Sequence, residues 1–284
     1  MRFKVNSSGY DCTKTYKGGY EAGANKRREE IINAPNTEEI YDIKGKRYYI
    51  SCDMGLEDIP ENLSAGDAVL FERGGLWRVG GRENFFVPEG VIFGAYGKGD
   101  KPRLYGSFRN YADKSLWEKE TGNIWSIQLC GGNAGSIVFD GNAALGVKKW
   151  HFEDLKENYD FYFDFESEKM WLYYEGEPWE DFHDIEICQR GNVLELLDNA
   201  TADNLFVGFC GSHAIVAGYA RDGITVTNCE IGFVGGSMQF GETRFGNGIE
   251  LQIGATNAKV KHNYVYQCYD AGITFQTWAS AKRD

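Results

Sequence analysis

Little proline, no long apolar run, no excess of positive charge and no paired cysteines: these absences narrow the chain before any motif is read. Only 5 of 284 residues are proline, so strand ladders can run without losing N–H donors. No apolar stretch approaches the ~20 residues of a membrane-crossing helix. The net charge is −12, from 42 acidic against 30 basic side chains, which argues against a nucleic-acid or membrane partner, since both demand a basic surface. The same charge disfavours an acidic polysaccharide unless a metal or a local basic cleft intervenes. Seven cysteines (Cys12, Cys52, Cys130, Cys188, Cys210, Cys229 and Cys268) form an odd set without a CxxC pair or metal-type spacing. The absence of Gly-x-Ser-x-Gly removes support for a serine hydrolase. The opening MRFKVNSSGYDC lacks an apolar signal core, which predicts a cytoplasmic protein or one whose secretion signal was removed.

What is present is repetition. Aromatic residues make up 15% and glycine counts 36, a composition suited to many strands joined by Gly-bearing bends. Between Asn204 and Ala279 one short pattern is written three times, as NLFVGFCGSHAIVAGYA, GITVTNCEIGFVGG…FGNGIELQIGA and AKVKHNYVYQCYDAGITFQTWA. Superposition puts Val207, Val226 and Val260 in one column, and Ile215, Ile249 and Ile273 in another. An insertion of about ten residues, 237–246, lengthens the second copy. Short β-branched strands with no helical pattern between them predict an all-β fold, a right-handed parallel β-helix in which each coil buries its inner face only against its neighbours. Cys210, Cys229 and Cys268 lie inside the copies and read as small buried apolar side chains.

Ahead of the repeats, residues 1–35 read as an N-terminal segment or cap, with a charged surface helix over 18–34. Residues 36–284 read as the parallel β-helix, the pieces in 36–140 forming its first, less regular coils. Within it, 148–190 is an insertion: YDFYFDFESEKMWLYYEG alternates aromatic and polar residues about a Glu-Ser-Glu-Lys turn, predicting an antiparallel hairpin at 158–176. Any of its rings left exposed beside a groove is suited to sugar stacking.

The phrases GDAVLFERGGLWR, GVIFGAYGKGDKPRLYGS, YDFYFDFESEKMWLYYEGEPWEDFHDIEI, GSHAI, RFGNGIE and YDAGIT together resemble the bacterial right-handed β-helix proteins allied with glycoside hydrolases and polysaccharide lyases. The resemblance covers residues 40–280. It implies a carbohydrate-active protein with a poly- or oligosaccharide partner and leaves the substrate open, because one scaffold hosts many chemistries.

Register selects the chemical groups. With Ile215, Ile249 and Ile273 inward, Val216, Glu250 and Thr274 point outward, Ala217, Leu251 and Phe275 return inward, and Gln252 and Gln276 face out. Asp270 falls at the turn before the last strand, level with Gly246. Glu250 and Asp270 are therefore the expected catalytic carboxylates, in the separation range of a glycosidase pair, ~5–5.5 Å for retention or ~6.5–9.5 Å for inversion. His213, Arg244, Glu242, Gln252, Gln276 and Trp278 are the expected substrate contacts. No cofactor is expected for hydrolysis. A lyase would instead use Arg244, Lys261 or His213 as base, with Ca²⁺ or Arg neutralising a uronate, and a third reading is a non-catalytic carbohydrate-binding solenoid. The Gly-rich phrases GGNAGS and GFVGGS do not precede helices, so they are not read as phosphate loops. The acidic loop Asp53, Glu57, Asp58 and Glu61 lacks calcium-loop spacing and reads as solvated. The last strand is followed by no closing segment, which predicts that self-association or further coils cover the open end.

Overall fold

Short runs of two to five residues distribute themselves over three parallel sheets. The computed structural model describes residues 19–80, 85–189, 191–240 and 242–276. The first sheet contains Arg47–Ile50, Ala68–Glu72, Ile92–Tyr96, Thr201–Asp203, Thr225–Thr227 and Lys259–Lys261. The second contains Leu76–Arg78, Arg103–Tyr105, Phe206–Cys210, Glu230–Val234 and Tyr264–Cys268. The third contains Phe86–Val87, Leu194–Leu196, Ile215–Ala217, Ile249–Leu251 and Ile273–Phe275. From Thr201 to Phe275 the chain visits first, second and third sheet in turn, three times over.

Equivalent residues stack strand upon strand. Ile215 pairs with Ile249 and Ile249 with Ile273, all on one face of the third sheet. Val226 pairs with Val260 in the first sheet. Val207 does not belong to that column: it pairs with Ile231, in the second sheet. Its place beside Val226 is taken by Ala202, from a three-residue strand whose single small inward side chain leaves almost no apolar signature. The inward columns merge into one core containing Phe71, Phe93, Leu104, Val207, Ile231 and Ile249. Cys210 and Cys229 are sealed within it, and Cys268 packs against its edge. In the last described coil the column opens, with Ile273 46% and Phe275 67% exposed.

The corners between first and second sheets explain the asparagines. Asn204, Asn228 and His262 are equivalent residues with φ of 61°, 53° and 55°, left-handed values that Asn and His tolerate better than most side chains. Asn263 closes the same corner, its Oδ1 accepting the Cys229 N–H at 2.9 Å and its amide donating to Val226 O.

Between Arg103–Tyr105 and Leu194–Leu196 the chain leaves the stack. The expected hairpin is there, Asp160–Asp164 against Lys169–Tyr173 in antiparallel register. The departure is wider than the sequence suggested. Ile124–Gln128, from NIWSIQL, pairs antiparallel with Lys169–Tyr173, and Ala134–Phe139, from GSIVFDG, pairs antiparallel with Ile185–Gln189. These two segments are therefore not early coils. A short apolar run looks alike in either pairing mode.

The excursion is fastened to the outer face of the second sheet. Arg78 donates through both terminal nitrogens to Glu186, at 2.7 and 2.5 Å. Glu186 is fully buried; burial pushes its carboxyl up to about 7 while Arg78 pulls it back. Val138 and Cys188 from the excursion pack on Tyr105, Phe206, Phe209 and Phe233. The helix expected over 18–34 spans Gly19–Ile32, with Arg28 over the Tyr264 ring at 5.1 Å. The segment after it crosses the first sheet, where Thr37 donates to buried Asp203 at 2.7 Å.

Core depth should decide what a lost methyl group costs. Ile249→Ala is expected to destabilise by about 2–5 kcal/mol, and Ile273→Ala, in the open coil, by less than about 1 kcal/mol. Urea unfolding of the two variants beside wild type measures the difference, and equal losses would contradict this account of the core.

Candidate functional site

One polar column runs up the corner between second and third sheets. The His213 backbone N–H donates to Asn192 Oδ1 at 3.1 Å, Asn247 N–H to His213 Nδ1 at 3.1 Å, and Ala271 N–H to Asn247 Oδ1 at 2.8 Å. Each coil thus supplies a side-chain acceptor to the next coil's backbone. The column also sets the candidate carboxylates. Three residues beyond Asn247, on the next strand, Glu250 Oε2 accepts the Asn247 amide at 2.7 Å. Asp270 immediately precedes Ala271, its N–H donating to Gly246 O at 3.2 Å.

The two carboxyl groups have different surroundings. Glu250 is 1% exposed, although strand alternation turns it outward beside the inward Ile249 and Leu251. Asp270 is exposed. Burial pushes the Glu250 carboxyl up to about 7; the Asn247 amide opposes the shift and the negative charge of Asp270 adds to it. A protonated acid beside a solvated carboxylate is the division of labour that proton donation and attack require.

His213 is drawn to the same corner, where it is buried and stacks on Phe245 with ring centroids 4.8 Å apart and planes 12° from parallel. Its Nδ1 lone pair is already engaged by the Asn247 N–H, which places the ring proton on Nε2. Burial pushes His213 down to about 4, so it stays neutral at neutral pH.

Arg244 arrives on the insertion at 237–246, which forms a small antiparallel hairpin, Met238–Phe240 with Thr243–Arg244. This hairpin and the large excursion leave the stack at the same corner and touch through the two Gly-rich phrases. A Cβ on Gly135 would lie 2.5 Å from both Gly235 O and Ser237 N, so a side chain there would part the backbones. Asn133 locks the contact, donating to Met238 O at 2.9 Å and accepting Met238 N–H at 2.8 Å. The contact carries Lys148 and Trp150 to Arg244. The Arg244 guanidinium lies 5.0 Å from the Trp150 ring centre and 4.4 Å from that of Tyr269, and its Nε donates to Gly236 O at 2.7 Å. Lys148 Nζ donates to Ala134 O and Asn133 Oδ1. Burial, with the Arg244 charge adding to it, pushes Lys148 down to about 7.

The remaining expected contacts are less engaged. Glu242 lies exposed on the hairpin turn, Gln252 is half-buried and Gln276 exposed. Trp278 lies outside the described residues. Lys261, a lyase base on the sequence reading, is exposed on the first sheet, away from this corner. Among the described residues no three His, Cys, Asp or Glu side chains are grouped as a metal ion would require. Lys148, Trp150, Asn247 and Tyr269 were not singled out from sequence. For Lys148 and Trp150 the only local signal was KKW in an acidic chain, about one hundred residues from the partners that folding gives them.

No family model matches the chain, and no curated protein matches it. A solved structure titled "Glycoside hydrolase" is similar over 73% of this chain and 67% of its own, at 10% identity and a TM-score of 0.42. A likeness so distant says nothing about residues at this corner.

The neutral His213 has a consequence in acid. The unfolded imidazole binds its proton near the ordinary ~6.5, but the folded one binds it only near about 4. Stability should therefore fall as pH drops through that window. His213→Asn, which keeps an acceptor like those of Asn192 and Asn247, should remove this loss, at most about 3 kcal/mol. Urea melts of both proteins from neutral pH to about pH 4 test it; parallel curves would show that His213 does not titrate in this way.

Proposed function

We propose that the three parallel sheets form a right-handed parallel β-helix and that the chain hydrolyses glycosidic bonds in a polysaccharide, with Glu250 as proton donor and Asp270 as nucleophile or base. The handedness follows the rule that parallel strand crossovers are right-handed in ~98% of cases. The observation that carries the chemistry is the carboxyl pair at one corner, Glu250 buried and held by Asn247, Asp270 solvated in the adjacent coil. The protonated Glu250 gives its proton to the leaving oxygen as the glycosidic bond breaks. The ionised Asp270 either attacks the anomeric carbon or takes a proton from the attacking water. The exposed faces of Trp150 and Tyr269 offer stacking surfaces for the sugar.

Lys148 favours a second reading, β-elimination from a uronate. Its amine, pushed down to about 7, would take the proton α to the carboxylate while Arg244 neutralises the charge; the β C–O glycosidic bond then breaks as a carbon–carbon double bond forms, and the departing oxygen takes a proton from Glu250 or water. The two readings have opposite pH limbs. Hydrolysis needs Glu250 protonated and should decline as pH rises through about 7; elimination needs Lys148 unprotonated and should increase through about 7. Elimination also leaves ultraviolet-absorbing unsaturated ends, whereas hydrolysis leaves only reducing ends.

A screen of polysaccharides followed by product analysis identifies the substrate class. On the substrate found, Glu250→Gln and Asp270→Asn should each lower kcat by about 10²–10⁴-fold. Asn247→Ala should move the alkaline limb to higher pH, because the lost N–H favours the ionised carboxyl. Full activity in both carboxyl variants, or glycan bound and recovered uncleaved by wild type after prolonged incubation, would overturn the hydrolase reading.

A further inference from the structure

We propose that Arg244 and Lys148, framed by Trp150 and Tyr269, bind an anionic group, carboxylate or sulfate ester, on a sugar of the glycan chain. This deepens the reading of the corner as a glycan-cleaving site and rests on it. The chain as a whole is acidic, with 42 acidic against 30 basic side chains, yet two cations meet here without a carboxylate. Several other cations near the excursion are matched, Arg78 with Glu186, Lys149 with Asp160, and Lys169 with Glu118 and Glu120, while Lys114 and Lys119 each lie singly over a ring. Among the described residues neither Arg244 nor Lys148 makes an ion pair. Two like charges brought together with no counter-ion repel and lose hydration. An arriving anion would relieve that repulsion and favour the charged form of Lys148.

The geometry suits recognition rather than support alone. Arg244 uses Nε on Gly236 O and lies against two rings, which fixes the guanidinium plane. Its two terminal nitrogens donate to no described residue, leaving a fork that matches a planar carboxylate or two sulfate oxygens. Lys148 spends its bonds on Ala134 O and Asn133 Oδ1, so one of three ammonium donors remains. Trp150 is 50% and Tyr269 48% exposed, leaving apolar ring surface for the hydrocarbon face of a sugar beside its charged group. Tyr269 directly precedes Asp270, so the bound sugar lies next to the carboxyl pair. This is the local basic cleft that the acidic composition required before an acidic glycan could be entertained.

Calorimetric titration tests the idea with matched pairs of oligosaccharides: oligogalacturonate and oligoalginate with their carboxyl-reduced forms, and sulfated galactan oligomers with their desulfated form. Chelator is present throughout, and Glu250→Gln serves as host so that ligand is not consumed. At least one anionic member should bind about ten-fold or more tightly than its uncharged partner. Preference within a carboxylate pair or within the sulfate pair identifies which anion is recognised. Arg244→Gln and Lys148→Met should each reduce that preference several-fold. The proposal is overturned by equal affinity within every pair, by binding of none of them, or by a preference that survives in both variants. Preference without cleavage by wild type would leave this proposal standing and remove the hydrolase reading; cleavage of a neutral glycan without preference would do the reverse.

Discussion

A side chain in one coil that accepts the backbone N–H of the next is the interaction on which the candidate site depends. Parallel strands about 4.8 Å apart repeat any misplacement along the stack, and the corners, where the chain turns between sheets, are where the ladder is weakest. At the corner of second and third sheets, Asn192, His213 and Asn247 bridge that gap in succession. Asn247 does this with its carbonyl oxygen and spends its amide on Glu250. At this coil one residue thus both bridges to the next coil and orients the carboxyl. That donor gives the buried carboxyl a hydrogen-bond partner.

The second determinant is a contact between segments far apart in the chain. The large excursion and the small hairpin meet backbone to backbone at Gly135 and Gly235–Ser237, and Asn133 binds across the junction in both directions. This closeness converts two ordinary surface cations into an electrostatic feature. Burial depresses the proton affinity of Lys148, with Arg244 adding to it, and burial raises that of Glu250, with Asp270 adding a little. Acidic and basic groups at this corner thus sit near neutrality for the same reason: burial with a like charge close by.

Much of the stack was legible because identical columns recur. Ile215, Ile249 and Ile273 stood out, and from them Glu250 and Asp270 could be placed by strand alternation and turn position. Val207 went to the wrong sheet because Thr201–Asp203 offers only Ala202 to the interior, so one strand of that coil was invisible and the next was taken for it. The hairpin at 158–176 declared itself through alternating aromatics about a polar turn. NIWSIQL and GSIVFDG did not, since an apolar run carries no mark of the direction of its partner. The burial of Glu250 was hidden for a related reason: alternation tells which face a side chain takes and not what lies over that face. Lys148 and Trp150 were beyond reach, since nothing local to KKW foretells that glycines around Gly135 and Gly235 will bring it to Arg244.

Both excursions emerge from the same corner, after a strand of the second sheet and before one of the third. The coils close with the same register whether a few residues or more than eighty intervene there, as the spacing from Tyr105 to Leu194 shows against that from Cys210 to Ile215. Length at this corner is thus decoupled from the stack beneath it. A chain built this way can lengthen, shorten or exchange the segments at one seam, while residues seated on the coils themselves, Asn247 and Glu250 among them, keep their places.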